Sequence, residues 1–137
     1  MYSLQLYYVG VHVGAALVDD ELDGLSLSMT WRVEPPKTLR KSTKGRRDVL
    51  AALLREDPSS LKRCHPYCWI GSKIPLRLSR VALRPELVQA VNQVVSKGFA
   101  HLDVLKDVHD LTSEIKSVIF LNGNRVDCRM SNLREVI

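Results

Sequence analysis

Apolar and polar positions along the chain change period several times, and each period predicts an element. Leu4, Leu6 and Tyr8 alternate with Ser3, Gln5 and Tyr7, the two-residue period of a strand with one buried face. Residues 11–18 are almost wholly apolar and predict a second, more deeply buried strand, in which Gly10 and Gly14 mark a bulge or a close approach. An acidic turn follows over 19–24. Leu25, Leu27 and Met29 then alternate with Ser26, Ser28 and Thr30 and lead into Trp31-Arg32-Val33, a further strand that Pro35 ends. The period lengthens over 47–55, where Val49, Leu50, Leu53 and Leu54 fall on one helical face. Residues 74–83 alternate in part, through Leu76 and Leu78, and predict a strand.

Helical spacing returns over 85–97. Pro85 occupies the first turn, Leu87, Val88, Val91, Val94 and Val95 form the stripe, and Gly98 closes it. A short helix is expected over 101–109, with Leu102, Leu105 and Val108 inward. Strands early and helices in the middle define an α+β fold in one domain, residues 1–137, with a small hairpin-helix element at 113–137. Hydrophobic residues are 45% of the chain, enough for a real core, and no run approaches the roughly 18 apolar residues of a membrane span. The opening residues lack the basic segment of a signal peptide and the Arg and Ser enrichment of a mitochondrial presequence.

Charge sharpens the picture. The formal net charge is only +5, but it is unevenly placed. Residues 1–36 carry one basic residue against five acidic, and residues 85–137 carry six against seven. Residues 37–84 carry 13 basic residues against three acidic. Within that third, Lys37, Arg40, Lys41, Lys44, Arg46 and Arg47 form an acid-free run, preceded by Pro35-Pro36 and interrupted by Gly45. Those breakers predict a loop or extended basic arm over 37–47. A second acid-free stretch holds Lys62, Arg63, Lys73, Arg77 and Arg80, together with Tyr67 and Trp69. Cations neutralise phosphates and release counterions, and aromatic rings stack on unpaired bases, so this third of the chain is the expected nucleic-acid-binding region.

Three cysteines do not make a disulfide framework and point to a reducing compartment. Cys64-His65-Pro66-Tyr67-Cys68 has the ingredients of half a zinc site, with Cys128 as a further thiolate. The second ligand pair is missing and Pro66 breaks any helix that would align the two sulfurs, so buried thiols are expected instead. His12, His101 and His109 stand singly among apolar residues as structural histidines. No cofactor and no metal site is read from the sequence.

The remaining motif lies near the C-terminus. Residues 117–121 are mostly apolar and read as a strand, Asn122-Gly123 is a hairpin-turn signal, and 125–128 is the expected return strand. Asp127 can cap a short helix over 130–136, and Asn132 can tie that helix to the hairpin. The spacing Asn122-Gly123-Asn124, then Asp127, Arg129, Asn132, Leu133 and Arg134, resembles the core of HNH homing endonucleases of the phage and intron type. At the position where that family carries its catalytic His, this chain has Phe120, which can neither accept a proton nor bind a metal.

The resemblance therefore implies a retained scaffold without its chemistry, similar to HNH-like domains that serve as accessory parts of organellar ribosomes. The expected function is a non-catalytic RNA-binding component of a ribonucleoprotein, a mitochondrial ribosomal protein in the first instance. Its partners would be rRNA and neighbouring proteins of the particle. The alternative is a metal-dependent nicking endonuclease whose His comes from elsewhere, His109 or His101, or a DNA-binding regulator of the same ancestry.

Overall fold

The computed structural model describes residues 2–20, 22, 30–70, 74–85, 88, 110 and 113–136. The first two strands form where the apolar pattern places them. Strand β1 (Tyr2–Tyr8) turns at Val9 and Gly10 into β2 (Val11–Val18), and the two pair antiparallel. The register slips between Leu6 and Tyr7. Gly14 sits at that irregularity with φ +155°, and a side chain there would collide with Leu61. Strand β3 (Trp31–Glu34) adds parallel to the other side of β1, and β4 (His65–Ile70) and β5 (Ile74–Arg77) follow antiparallel. The resulting sheet has the order β2-β1-β3-β4-β5. A second, two-stranded sheet pairs β6 (Ser117–Phe120) with β7 (Leu133–Val136). The domain is α+β, as the alternating and helical periods predict.

One face of the large sheet carries the core. Leu4, Leu6, Val13, Trp31, Val33, Cys68 and Leu76 are buried there, together with residues of the helices. Helix α2 (Arg47–Glu56) contributes Leu50, Ala51 and Leu54. Each buried leucine contributes about 2 kcal/mol through removal of its apolar surface from water. Val49, expected on the same face, is 39% exposed instead. The short helix α3 (Pro58–Leu61) is capped by the Asp57 carboxylate, which accepts from the Ser59 amide.

The basic run is not a loop. Residues 37–42 form helix α1 (Lys37–Ser42), anchored by the buried side chain of Leu39. Pro36 stands at its N-cap, and Lys44 and Gly45 adopt positive φ after its end. Proline before a helix and glycine after it are boundary signals as well as loop signals, and one well-placed leucine decides between them. The expected strand over 74–83 is also divided. β5 ends at Arg77, and α4 (Leu78–Ala82) follows with Leu78, Val81 and Ala82 buried at helical spacing.

The C-terminal element departs further from expectation. The segment 125–128 does not return along β6, and 130–136 is not a helix. A 3₁₀ turn (Met130–Asn132) leads straight into β7, which is the true partner of β6. Backbone bonds from Leu17 N to Val126 O (2.9 Å) and from Cys128 N to Leu17 O (2.8 Å) instead lay 126–128 along the outer edge of β2. That edge is thereby covered. The Arg84–Glu135 ion pair, at 2.7 Å, ties β7 to the end of α4. The helices predicted over 85–97 and 101–109, and the alternation over 25–29, lie almost wholly outside the described residues. Among the described residues no helix is long and apolar enough to cross a membrane.

Candidate nucleic-acid interface

The face of the sheet opposite the core is set by strand alternation. In β3, Trp31 and Val33 point inward, so Arg32 and Glu34 point outward. The pairing then carries one row across all five strands. His12 on β2 is opposite Tyr7 on β1, Tyr7 is beside Arg32 on β3, Arg32 is opposite Tyr67 on β4, and Tyr67 is opposite Arg77 on β5. From Tyr7 to Arg77, aromatic rings and cations therefore alternate along a line perpendicular to the strands. Trp69 lies two residues beyond Tyr67 on the same face. Its ring meets the Tyr67 ring edge-on at 5.9 Å, and it is 45% exposed. An indole held this open on a sheet is not part of the core and is available as a stacking surface.

A cavity of about 1190 Å³ opens over this face. Tyr7, Tyr67 and Trp69 line it with Arg32, Arg40, Arg47, Arg77, Arg80 and Lys116, and Glu34 is the one acid among its described lining residues. Arg77 and Glu34 approach to 3.7 Å. Arg40 reaches the groove from α1 and Arg47 from the first turn of α2. Burial, with Arg77 nearby, lowers the Arg80 guanidinium from its ordinary value, and that guanidinium also donates to the Ile115 carbonyl. Cations above an aromatic floor match the backbone and the bases of an unpaired strand.

Of the cations singled out by sequence, Arg40, Arg47, Arg77 and Arg80 meet in this groove. Lys37, Lys41, Lys44 and Arg46 are exposed but do not line it. Lys62 and Arg63 lie elsewhere, at the junction with the C-terminal element. There the Lys62 carbonyl accepts from the Arg125 amide at 2.9 Å and Arg63 donates to Thr38 Oγ1 at 2.6 Å. Lys73 falls outside the described residues. Arg32, Lys116 and Tyr7 are lining residues that charge clustering missed. Arg32 was legible from the alternation of β3, but it stands alone in an acidic third of the chain.

The C-terminal motif forms a closed polar network. The Asn122 amide donates to Asn132 Oδ1 at 2.9 Å, and Asn132 Nδ2 donates to the Asp127 carbonyl at 2.9 Å. Asn122 Nδ2 and Arg129 Nη2 both donate to Asp127 Oδ2, at 3.0 and 2.8 Å, while Arg129 Nε donates to Oδ1 at 2.8 Å. The guanidinium holds the buried Asp127 carboxyl below its usual range, with Asn122 assisting. Asn124 accepts from Val126 and donates to Asn122 through its own amide. Gly123 takes φ +75° and donates to the Phe120 carbonyl, but Asn122 does not share the positive φ, so the turn is not type I′. The side chains of this network are engaged with one another and with the motif's own backbone, which makes it a structural brace.

Phe120 does have a histidine against it. The His65 ring lies 6.0 Å from the Phe120 ring. Burial, then the charges of Arg77 and Arg125, lower the His65 pKa to about 4, so the ring is neutral at pH 7. His12 instead bonds Gln5 and packs edge-on to Tyr7 at 5.5 Å. Cys64, Cys68 and Cys128 are buried thiols, and burial pushes all three upward in pKa. Among the described residues no three His, Cys, Asp or Glu side chains gather as a metal site. No protein-family model, no curated protein and no solved structure matches this chain.

Proposed function

We propose that this protein is a non-catalytic RNA-binding component of a ribonucleoprotein, with the open face of the five-stranded sheet as its RNA-binding surface. The observation that carries the reading is the row Tyr7, Arg32, Tyr67, Arg77 with Trp69 beside it, under a groove rimmed by Arg40, Arg47 and Lys116. A surface of this kind suits single-stranded RNA, whose unpaired bases stack on aromatic rings while the phosphates meet the cations. The C-terminal element serves as scaffold. An organellar ribosome is the particle that the HNH resemblance implies.

The competing reading is a metal-dependent nuclease. A base in place of the missing His would have to come from outside the motif; His101 and His109 lie outside the described residues, and His65, against Phe120, is a further residue to test. Anisotropy with a labelled single-stranded RNA is expected to give binding that Trp69→Ala weakens by about 1–3 kcal/mol, the worth of one stacked base. Plasmid DNA and structured RNA incubated with Mg²⁺ or Mn²⁺ are expected to remain intact. Cleavage that His65→Ala abolishes would replace this reading with the nuclease. Undiminished binding by Trp69→Ala would remove the sheet face as the binding surface.

A further inference from the structure

A second cavity, of about 480 Å³, lies beside the groove and shares Arg77, Arg80 and Lys116 with it. His65, Phe120 and Arg125 complete the part of its wall that matters here, and no acid is among its described lining residues. Phe120 supplies an apolar wall with the His65 ring tilted against it. The Arg125 guanidinium donates to the carbonyl of Arg63, which does not line the cavity, at 3.0 Å. The cavity is therefore built by four separate parts of the chain: β4, the β5–α4 junction, β6 and the turn after it.

We propose that this second cavity takes the terminal phosphate of a nucleic-acid strand that lies in the groove. The inference rests on the reading of the groove as an RNA surface. Size argues for an end over a through-going strand, because the cavity is at the small end of the range for ligand sites and fits a phosphate with its sugar. Charge argues the same way. An internal phosphodiester carries a single negative charge, whereas a phosphomonoester carries about −1.5 to −2 at pH 7. Three guanidinium groups and an ammonium match the second better than the first. Arginine forks also suit the several oxygens of a terminal phosphate. The shared residues Arg77, Arg80 and Lys116 provide continuity, so a strand stacked on Tyr67 and Trp69 reaches the cavity without leaving cationic surface. His65 adds a reporter. Its ring is neutral in the free protein because burial and the facing cations oppose protonation, and a dianion placed among those cations reverses that balance.

The test compares one short RNA sequence with a 5′-phosphate, a 3′-phosphate or hydroxyls at both ends. One phosphorylated end is expected to bind at least about tenfold more tightly than the hydroxyl form, and the comparison identifies which end. Arg125→Gln, and Ser117→Glu, which sets a negative charge in the wall of this cavity, are expected to remove that preference while leaving the hydroxyl form's affinity nearly unchanged, since neither residue lines the groove. Ser117 is exposed, which keeps the test open if Arg125→Gln disturbs the fold. In the wild type, the His65 ring is expected to titrate at higher pH by NMR when the phosphorylated strand is bound. Equal affinity for all three ends would overturn this inference and leave the RNA reading standing. Failure of every form to bind would overturn both.

Discussion

Asp127 carries the C-terminal motif. Its side chain is 2% exposed and accepts from Arg129 and Asn122, while its backbone carbonyl accepts from Asn132. Because the folded protein holds this carboxyl below its unfolded value, the stabilisation is fully present above about pH 4. It is lost as the pH falls from there through the lower folded pKa. Asp127→Asn would set an amide donor against the donors of Arg129 and Asn122. The expected cost is about 1–3 kcal/mol at pH 7, and the variant should lose part of the wild-type decline in stability below pH 4. Urea titrations at pH 7 and pH 3 would show it. Equal wild-type and variant stabilities at pH 7 would mean the network contributes nothing net. The sequence marks Asp127 as the cap of a helix over 130–136 and Asn132 as a tie to the hairpin; Asn132 does bond the backbone of Asn122, but the helix that Asp127 would cap does not form. Nor does the sequence show that Asp127 is paired with Arg129 two residues on, since which rotamer wins depends on the burial that the edge of β2 imposes.

The turns show why boundaries were harder to read than faces. Asn122-Gly123 has the composition of a type I′ turn, yet only Gly123 takes positive φ, because 126–128 leaves the hairpin to pair with β2. Among the described residues, the strand-to-strand turn with positive φ at both positions is Val9-Gly10, at +46° and +81°, with Tyr8 opposite Val11. Valine is a poor residue for that conformation, as its branched Cβ is crowded at positive φ. Nothing in its side chain announces the turn. It is imposed by the two apolar strands on either side, whose registers leave two residues to reverse the chain. Val9→Asn is accordingly expected to stabilise the protein by about 1 kcal/mol, seen as a higher denaturation midpoint with an unchanged urea slope. A lower midpoint would mean that the valine makes contacts worth more than the strain. Helix α1 makes the same point from the other direction. Its polar, proline-preceded sequence reads as an arm, and only the burial of Leu39, a tertiary event, fixes it as a helix.

At the scale of the molecule, net charge along the chain and the fold select overlapping but different sets of cations. The excess of cations in 37–84 includes four that line the groove, whereas the fold adds Arg32 from the acidic N-terminal third and Lys116 from the C-terminal third. Sequence clustering treats neighbouring lysines and arginines as equivalent, but α1 separates them. Arg40 lines the groove, while Lys37, Lys41 and Lys44 do not. This separation predicts different salt dependences. Each phosphate contact on a single strand contributes about 0.7 to the slope of log affinity against log salt. Replacing Arg32, Arg40 and Arg47 with Ala should therefore flatten the slope by about 2 if each meets one phosphate. Replacing Lys37, Lys41 and Lys44 removes the same formal charge, and should change the slope by much less. The three-for-three design holds net charge constant between variants, so a difference between them reports placement and not the overall field. Equal flattening by the two sets would mean that RNA follows the exposed surface of α1 and not the groove, and the binding path would have to be redrawn along that helix.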